Sequence, residues 1–451
     1  MPVQVVEIGL VLYHPDWDKD MCYAIPGNVN SIDEDLITID YFGEERKAKN
    51  DFYDLRVGDY VYAQGGFVVQ KIDEKDAEEI LDTWKELFFE LKETDARLSK
   101  LYNDKPNLDK GFLKIIDRAT YGKSISHEEA LRLILSEDPD EQDVLFKSAN
   151  FIRQKFLGNA CCVHGIIESS NICKSQCAYC GISSSNTTLK RFRLNPEEIL
   201  NVVEDAVKRF GFKGIVLQSG EDPSYSSDDI LDLIKKIREN YPVFIFLSIG
   251  EREEELYRKA YDAGAKAVLF RFETSDSNLY SELHPHSSLK ERISYLELFK
   301  DIGYLIATGS LIGLPGQNTE SVIDDFIFAK ELGCDMYSFG PFIPHPDTPL
   351  SDHNAPCVEY VLKALSVLRL IDPYGKILVT TALESLSPQA RRRALLGGAN
   401  SIMLNLTPKD YVELYDIYPH RATVDTSIED QIEDALKLLK NIGRAPTDLG
   451  I

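Results

Sequence analysis

From Val163 onward, apolar strand-like runs and helical stretches take turns, and that alternation constrains the fold more than any other feature. The runs are 163–168, 214–218, 243–249, 267–272, 305–311, 335–340, 377–381 and 401–405. Helical patterns near 196–209, 228–239, 251–263, 288–301, 319–332, 358–371 and 387–396 separate them, and a last one spans 427–442. Parallel strands need a crossover between them, and eight strand–helix units over about 280 residues predict a closed (β/α)8 barrel. A doubly wound sheet is the alternative, but such sheets seldom reach eight units. No repeat of 20–50 residues and no low-complexity segment interrupts the pattern.

The chain ahead of the barrel reads differently. Residues 1–72 carry short β-type runs with Gly and Asp turns, among them Leu36-Ile-Thr-Ile-Asp-Tyr-Phe and Phe67-Val-Val-Gln-Lys-Ile. Close spacing of such runs predicts a small β-barrel. Residues 74–100 switch to Glu, Lys, Leu and Ala with almost no Gly or Pro, the composition of a helix. A polar joint at 102–107 then leads into helices at 110–120 and 126–157. The expected division is 1–100 for the small barrel and its helix, 101–160 for a helical linker, and 161–451 for the (β/α)8 barrel.

Charge narrows the function. Acidic residues number 74 against 50 basic, a net charge of −24. That disfavours nucleic acid and an anionic membrane as partners, since both need a basic surface, and neither is expected. It leaves room for a small anion in a local basic pocket. No uncharged apolar run reaches about 18 residues, and the N-terminus lacks a basic and apolar leader, so the expectation is a cytoplasmic protein.

Three of the eight cysteines fall within eight residues, in Asn171-Ile-Cys-Lys-Ser-Gln-Cys-Ala-Tyr-Cys-Gly. The C-x3-C-x2-C spacing lies just after the first barrel strand, at the mouth where barrel active sites sit. Cys173, Cys177 and Cys180 can hold three irons of a single 4Fe–4S cubane and leave the fourth with an open coordination position. Tyr179, next to Cys180, would shield the cluster. A three-cysteine zinc site is the structural alternative. Cys161, Cys162 and Cys334 read as core residues and Cys357 as a loop residue.

The motif with its aromatic resembles the radical S-adenosylmethionine (SAM) superfamily. The resemblance implies that the open iron chelates SAM and that the reduced cluster cleaves it to methionine and a 5′-deoxyadenosyl radical. Ile215-Val-Leu-Gln-Ser-Gly-Glu-Asp-Pro resembles the stretch that binds the SAM amino group, which assigns Ser219, Gly220 and Glu221. Arg271-Phe-Glu-Thr places Glu273 against SAM, Arg292 matches an arginine that pairs with the SAM carboxylate, and the Gly309–Gln317 string, including Leu311, resembles the part that packs on adenosine. Gly340-Pro-Phe-Ile-Pro-His-Pro-Asp-Thr-Pro-Leu, with Gly398-Ala-Asn and Asn405-Leu-Thr-Pro, resembles the FeFe-hydrogenase maturase (HydE) branch beside biotin synthase and methylornithine synthase. That branch implies an anionic substrate group near Arg271, Thr380 and Thr381. His345 is the histidine inside the branch's string. Two positions depart from the branch: Ala267 stands where an arginine is usual and Phe246 where a threonine is, both on the expected anion-binding floor. The pocket is therefore expected to be less cationic. No cysteine follows Cys357, so one cluster is expected.

Met21-Cys-Tyr-Ala-Ile-Pro-Gly-Asn-Val, followed in order by Val57-Gly-Asp-Tyr-Val and Gly66-Phe-Val-Val-Gln-Lys-Ile-Asp, resembles the HypC/HupF hydrogenase-maturation chaperones, which are OB-like barrels. This resemblance implies an iron fragment with cyanide and carbon monoxide ligands on Cys22. Twenty residues precede the Met21-Cys22 pair, and Gln64 stands where the chaperones have a histidine. The alternative is that Cys22 is a small buried residue. Taken together, the resemblances imply a SAM-cleaving enzyme of hydrogenase cofactor maturation. They imply a small-molecule or iron-complex substrate and maturation proteins or a hydrogenase precursor as partners. An electron donor such as ferredoxin or flavodoxin is also implied. A radical SAM enzyme acting on a small amino-acid-derived substrate, with the first domain for docking, and a non-catalytic iron-fragment scaffold are the other readings.

Overall fold

The computed structural model describes residues 25–101, 108–422 and 424–446; Cys22 lies outside them. Five short strands come first: β1 (Gly27–Asp33), β2 (Leu36–Tyr41), β3 (Glu44–Lys49), β4 (Tyr60–Gln64) and β5 (Phe67–Ile72). They close into a barrel in the order β1-β2-β3-β5-β4. Alternation in β2, with Ile37, Ile39 and Tyr41 inward, fills the interior. The β4–β5 hairpin turns on Gly65 and Gly66, both at positive φ, a turn whose twist matches that of its strands.

Helix α1 (Glu74–Leu98) follows, capped by the Asp73 carboxylate on the Lys75 amide. Its Trp84, Phe88 and Leu91 pack on the small barrel. Near its end Asp95 is buried and accepts from two guanidinium groups that are wholly inside the protein, those of Arg153 and Arg444. Helices α2 (Lys110–Thr120), α3 (His127–Ile134) and α4 (Pro139–Leu157) lead to the second barrel.

That barrel opens with β6 (Ala160–Ser170) and α5 (Pro196–Glu204), the latter continued by a π turn at Asp205–Arg209. Next come β7 (Gly214–Ser219), α6 (Ser227–Asn240), β8 (Phe244–Ser248), α7 (Glu254–Ala263) and β9 (Ala265–Leu269). The middle holds α8 (Ser277–Leu283), α9 (Leu289–Ile302), β10 (Leu305–Thr308), β11 (Leu311–Ile312), α10 (Thr319–Glu331), β12 (Met336–Tyr337), β13 (Gly340–Pro341) and α11 (Val358–Ile371). It ends with β14 (Lys376–Val379), α12 (Thr381–Leu386), α13 (Ala390–Leu396), β15 (Ser401–Asn405), α14 (Lys409–Val412), α15 (Ile428–Asn441) and β16 (Ala445–Pro446). The strands β6, β7, β8, β9, β10, β12, β14 and β15 are parallel neighbours, and β15 pairs with β6 to close the ring. The (β/α)8 expectation is met. β16 adds a short strand to the start of β6.

Several runs end earlier than their hydropathy does. The fifth and sixth split, so that β11 and β13 pair with each other above the main ring. Gly309 marks the split: a Cβ there would overlap the Ser338 carbonyl, so the two chains pass too closely for a regular strand. The 377–381 run stops at Val379 because Thr380 turns to cap α12. Helices α8, α12 and α14 sit in loops that carry no helical period.

Inside the ring, alternation sends Ile215, Leu217 and Ile245 outward against the helices. One side chain per strand points inward to form an apolar layer: Ile166, Val216, Phe246, Ala267, Ala307, Met336, Leu378 and Met403. Ala267 and Phe246 belong to this layer and do not line the cavity above it. The expected anion-binding floor is thus a dry layer at these two positions. Tyr62, Phe67 and Val69 of the small barrel join the same cluster from below.

Candidate active site

Above the apolar layer lies a cavity of about 630 Å³. The loop after β6 forms one wall and is held by two polar devices. Asn171 donates through Nδ2 to the carbonyls of Lys190 and Leu414 and accepts from the Phe192 amide. Arg191 donates to four backbone carbonyls, those of Asn171, Ile182, Ser183 and Asn186, at 2.6–2.8 Å. Cys173, Cys177 and Cys180, carried on this loop, all line the cavity.

Burial makes the three thiols hard to ionise. It raises Cys173, raises Cys177 well above the usual thiol range with help from the neighbouring Cys180 and Cys173, and pushes Cys180 up to about 12. The loop is fastened across the mouth as well. The Ala178 amide donates to the Leu283 carbonyl at 2.9 Å, and the Tyr179 hydroxyl meets His284 Nε2 at 3.0 Å. Burial holds His284 down at about 4, so it is neutral, and its Nδ1 faces the Tyr280 carbonyl at 3.2 Å. The tautomer that satisfies both contacts donates from Nδ1 and accepts from Tyr179.

The two glutamates assigned to SAM differ in kind. Glu221 already uses both oxygens: Oε2 accepts from Ser175 Oγ at 2.8 Å and Oε1 from the Glu251 amide at 2.9 Å. Gly250, at φ +70°, leaves the space its side chain fills; a Cβ there would overlap Glu221. A Cβ on Gly220 would overlap the Ile172 carbonyl and crowd Cys173, so the strand end can lie against the cysteine loop only with glycine. Glu273 has a buried Oε2 with no hydrogen bond, 3.1 Å from Arg271 Nη2, whose own Nε and Nη2 are also buried without one. Its backbone sits at φ +66°, strained for a residue with a Cβ. The strain is held by the amides of Phe272 and Glu273, which both donate to the Gly309 carbonyl, and by Leu311, whose amide donates back to Glu273.

Arg292 lies in the wall, its guanidinium 3.5 Å over the Phe270 ring and 3.1 Å from Glu251 Oε1, with Glu221 at 4.0 Å. Ser219 and Leu311 line the cavity too. Thr380 and Thr381 stand on the far wall; Thr381 Oγ1 is 2.7 Å from the Tyr418 hydroxyl. His345 is not in the lining. It is buried, pairs with Asp416 at 2.9 Å, and packs where a Cβ on Gly181 would stand, so it braces the cysteine loop from behind.

Several lining residues escaped the sequence reading. Arg421, in the loop after α14, pairs with Glu168 of β6. Asn405 donates to the same carboxylate at 3.0 Å. Arg421 also donates to the Tyr415 carbonyl at 2.6 Å, and Tyr415 accepts from Gln218. With Arg271 and Arg292 this puts three guanidinium groups on the cavity, each paired with a carboxylate, those of Glu273, Glu251 and Glu168, so its upper part is charged although the layer beneath is not. Nothing local marks Arg421, whereas Asn405 opens the Asn405-Leu-Thr-Pro string and His284 and His286 stand in a His-Pro-His string.

The profile of the Radical SAM superfamily matches residues 167–329. The FeFe hydrogenase maturase subunit HydE of Thermotoga maritima is 40% identical over 329 residues, 72% of this chain and 94% of that protein. The chain belongs to the radical SAM superfamily, on its HydE branch. The Biotin and Thiamin Synthesis associated domain matches residues 338–444 of the radical SAM barrel, and the HupF/HypC family matches residues 21–84. The 3-methylornithine synthase of Methanosarcina acetivorans is 30% identical over 345 residues, 75% of this chain and 94% of that protein. A solved structure of methylornithine synthase superposes with a TM-score of 0.66 at 25% identity, covering 74% of this chain and 97% of that one. Among the described residues no helix is long and apolar enough to cross a membrane.

Membership implies a 4Fe–4S cluster and SAM, and the radical SAM barrel fits both. Among the described residues no three His, Cys, Asp or Glu side chains converge on a single metal ion, so the fit rests on the donors themselves. Three soft thiols on one fastened loop suit iron–sulfur ligation. Glu273 Oε2, ion-paired with Arg271 but without a hydrogen bond, is an acceptor of the kind an ammonium group needs.

Proposed function

We propose that this chain is a SAM-cleaving enzyme of hydrogenase metallocofactor maturation, acting on a small anionic molecule or an iron complex held in the cavity. The HydE match carries this reading, because it spans 94% of that maturase, and the HupF/HypC match on the same chain supports it. A 4Fe–4S cluster on Cys173, Cys177 and Cys180, once reduced by an external donor such as ferredoxin or flavodoxin, supplies the electron that cleaves SAM to methionine and a 5′-deoxyadenosyl radical. In this reading Glu273 accepts from the SAM ammonium. Arg292 faces its carboxylate, the Gly309–Leu311 backbone packs on its adenosine, and Ser219, Gly220 and Glu221 complete the wall. Arg271, beside Glu273, and Arg421, beside Glu168, receive the substrate's negative charge together with Thr380 and Thr381. A guanidinium in a water-poor cavity holds an anion more firmly than it does in bulk water.

A second reading has support from the methylornithine synthase match: the substrate is an amino-acid-derived zwitterion. The same anion-binding wall suits its carboxylate. The test is anaerobic. Cluster-reconstituted protein, reduced with dithionite in the presence of SAM, should release 5′-deoxyadenosine. Infrared spectra of protein isolated with its maturation partners should show carbonyl or cyanide stretches for the first reading and none for the second. Absence of 5′-deoxyadenosine at full cluster content would leave only the non-catalytic scaffold.

A further inference from the structure

The two barrels meet end on. The cysteine loop leaves the C-terminal end of β6, whereas the small barrel touches Phe244 and Leu305, the first residues of β8 and β10. The small barrel therefore sits at the base, opposite the mouth. Its β4–β5 hairpin makes the contact. A Cβ on Gly65 would come within 2.9 Å of the Phe244 ring and 3.2 Å of Leu305, so only a glycine tip, already at φ +57°, lets the hairpin seat this closely. Phe67 lies 5.9 Å from Phe244, ring to ring. Two members of the eight-residue layer above are alanines, Ala267 and Ala307, and the aromatic side chains of the hairpin belong to the same buried cluster.

A polar rim surrounds this dry contact. Lys266, at the start of β9, pairs with Asp51 at 2.9 Å and lies 3.8 Å over the Tyr261 ring and 5.2 Å over Phe52. Lys213 meets Gln70 at 3.2 Å and lies 4.3 Å over Tyr62. Gln64 is buried in the hairpin at 1% exposure, its Oε1 without a hydrogen bond, so its side chain is not offered to solvent. An apolar centre inside a rim of partly desolvated charges is the anatomy of an interface that excludes water.

We propose that the HupF/HypC domain of this chain serves as the basal stopper of the radical SAM barrel, its β4–β5 hairpin closing the lumen from below so that traffic passes through the cysteine mouth. The benefit of the seal rests on the reading above, since a carbon radical in the lumen must meet its substrate and not water-borne reductants. The seat itself does not depend on that reading. The test uses the full chain with its cluster reconstituted. Hydrogen exchange is followed in residues 160–166 and 243–248, together with iodoacetamide alkylation of Cys162. Cys162 is 4% exposed and faces the lumen side of β6, because Cys161 packs outward. In Phe67→Ala both rates should rise by at least about 30-fold, the counterpart of ~2 kcal/mol lost from a buried aromatic contact. Exchange in the 171–184 loop and the iron content should stay unchanged. Lys266→Met, which keeps the stem and loosens only the rim, should give a smaller rise in the same segments. A folded variant of either kind with wild-type exchange and alkylation at the base overturns the proposal, and so does a rise that is equal at the mouth. Neither readout needs SAM cleavage, so an inactive enzyme would sink the catalytic reading and leave this one to be judged alone.

Discussion

Replacing Glu273 with glutamine isolates one carboxylate in a fixed position. Glu273 and Glu221 look equivalent as strand-end acids, but their surroundings separate them. Glu221 has both oxygens occupied by Ser175 and the Glu251 amide. Glu273 keeps a buried Oε2 with no hydrogen bond, ion-paired with Arg271 at 3.1 Å. Glutamine preserves shape and leaves the strained backbone at φ +66° to its existing amide contacts. The substitution removes a charge-assisted hydrogen bond to an ammonium group, typically about 1.5–3 kcal/mol. That corresponds to roughly 10- to 150-fold weaker SAM binding. Equilibrium dialysis of SAM against the oxidised, cluster-loaded protein measures it, with iron content as the control. Glu221→Gln should behave differently: its loss falls on the Ser175 and Glu251 contacts, so cluster retention under a chelator should shorten before SAM affinity changes. A Glu273→Gln variant with intact cluster and SAM affinity within about threefold of wild type, under ~0.7 kcal/mol, would refute the assignment.

Other outcomes follow from single contacts. Cys177→Ala, or the same change at Cys173 or Cys180, should abolish the cubane and 5′-deoxyadenosine formation, and wild type should load about four irons per chain; eight by iron assay would contradict a single cluster. Asp95→Asn should cost about 3–5 kcal/mol in denaturant unfolding, because it leaves Arg153 and Arg444 buried without their shared anion. Lys213, driven down to about 8 by burial from its usual 10.5, is costly to keep protonated. Its depressed folded-state pKa means that stability is lost as pH falls from about 10.5 through about 8, up to ~3 kcal/mol. Lys213→Met should flatten that part of the stability–pH profile, and an unchanged slope would count against the burial.

Much of this was legible in the chain. The eightfold alternation and the cysteine spacing are local signals, and both carried through to the barrel and its mouth. The pairing of β11 with β13 was not legible, because hydropathy continues through Gly309 while the close pass of Ser338 does not permit the strand to continue. The Glu168–Asn405–Arg421 cluster was missed for a different reason. Glu168 meets Asn405 and Arg421 from more than 230 residues away, and of the three only Asn405 stands in a string the sequence singled out. Ala267 and Phe246 were noticed as departures, but their meaning depends on the hairpin beneath them, which no barrel sequence contains. The part of the chaperone-like domain that holds Cys22 lies outside the described residues.

Arg191 has one more consequence. A single guanidinium gathers the carbonyls of four residues spread over the cysteine loop, and Asn171 staples the same loop at its root. All of these partners are protein atoms. The ordering cost of the loop is therefore met during folding and is not left to the metal. On the proposed cluster assignment, these contacts are expected to outlast removal of the inorganic core, so the loop should resist proteolysis after chelation. Damage and repair of the cluster can then cycle on one folded chain, in contrast to small zinc domains, whose fold disappears with the ion.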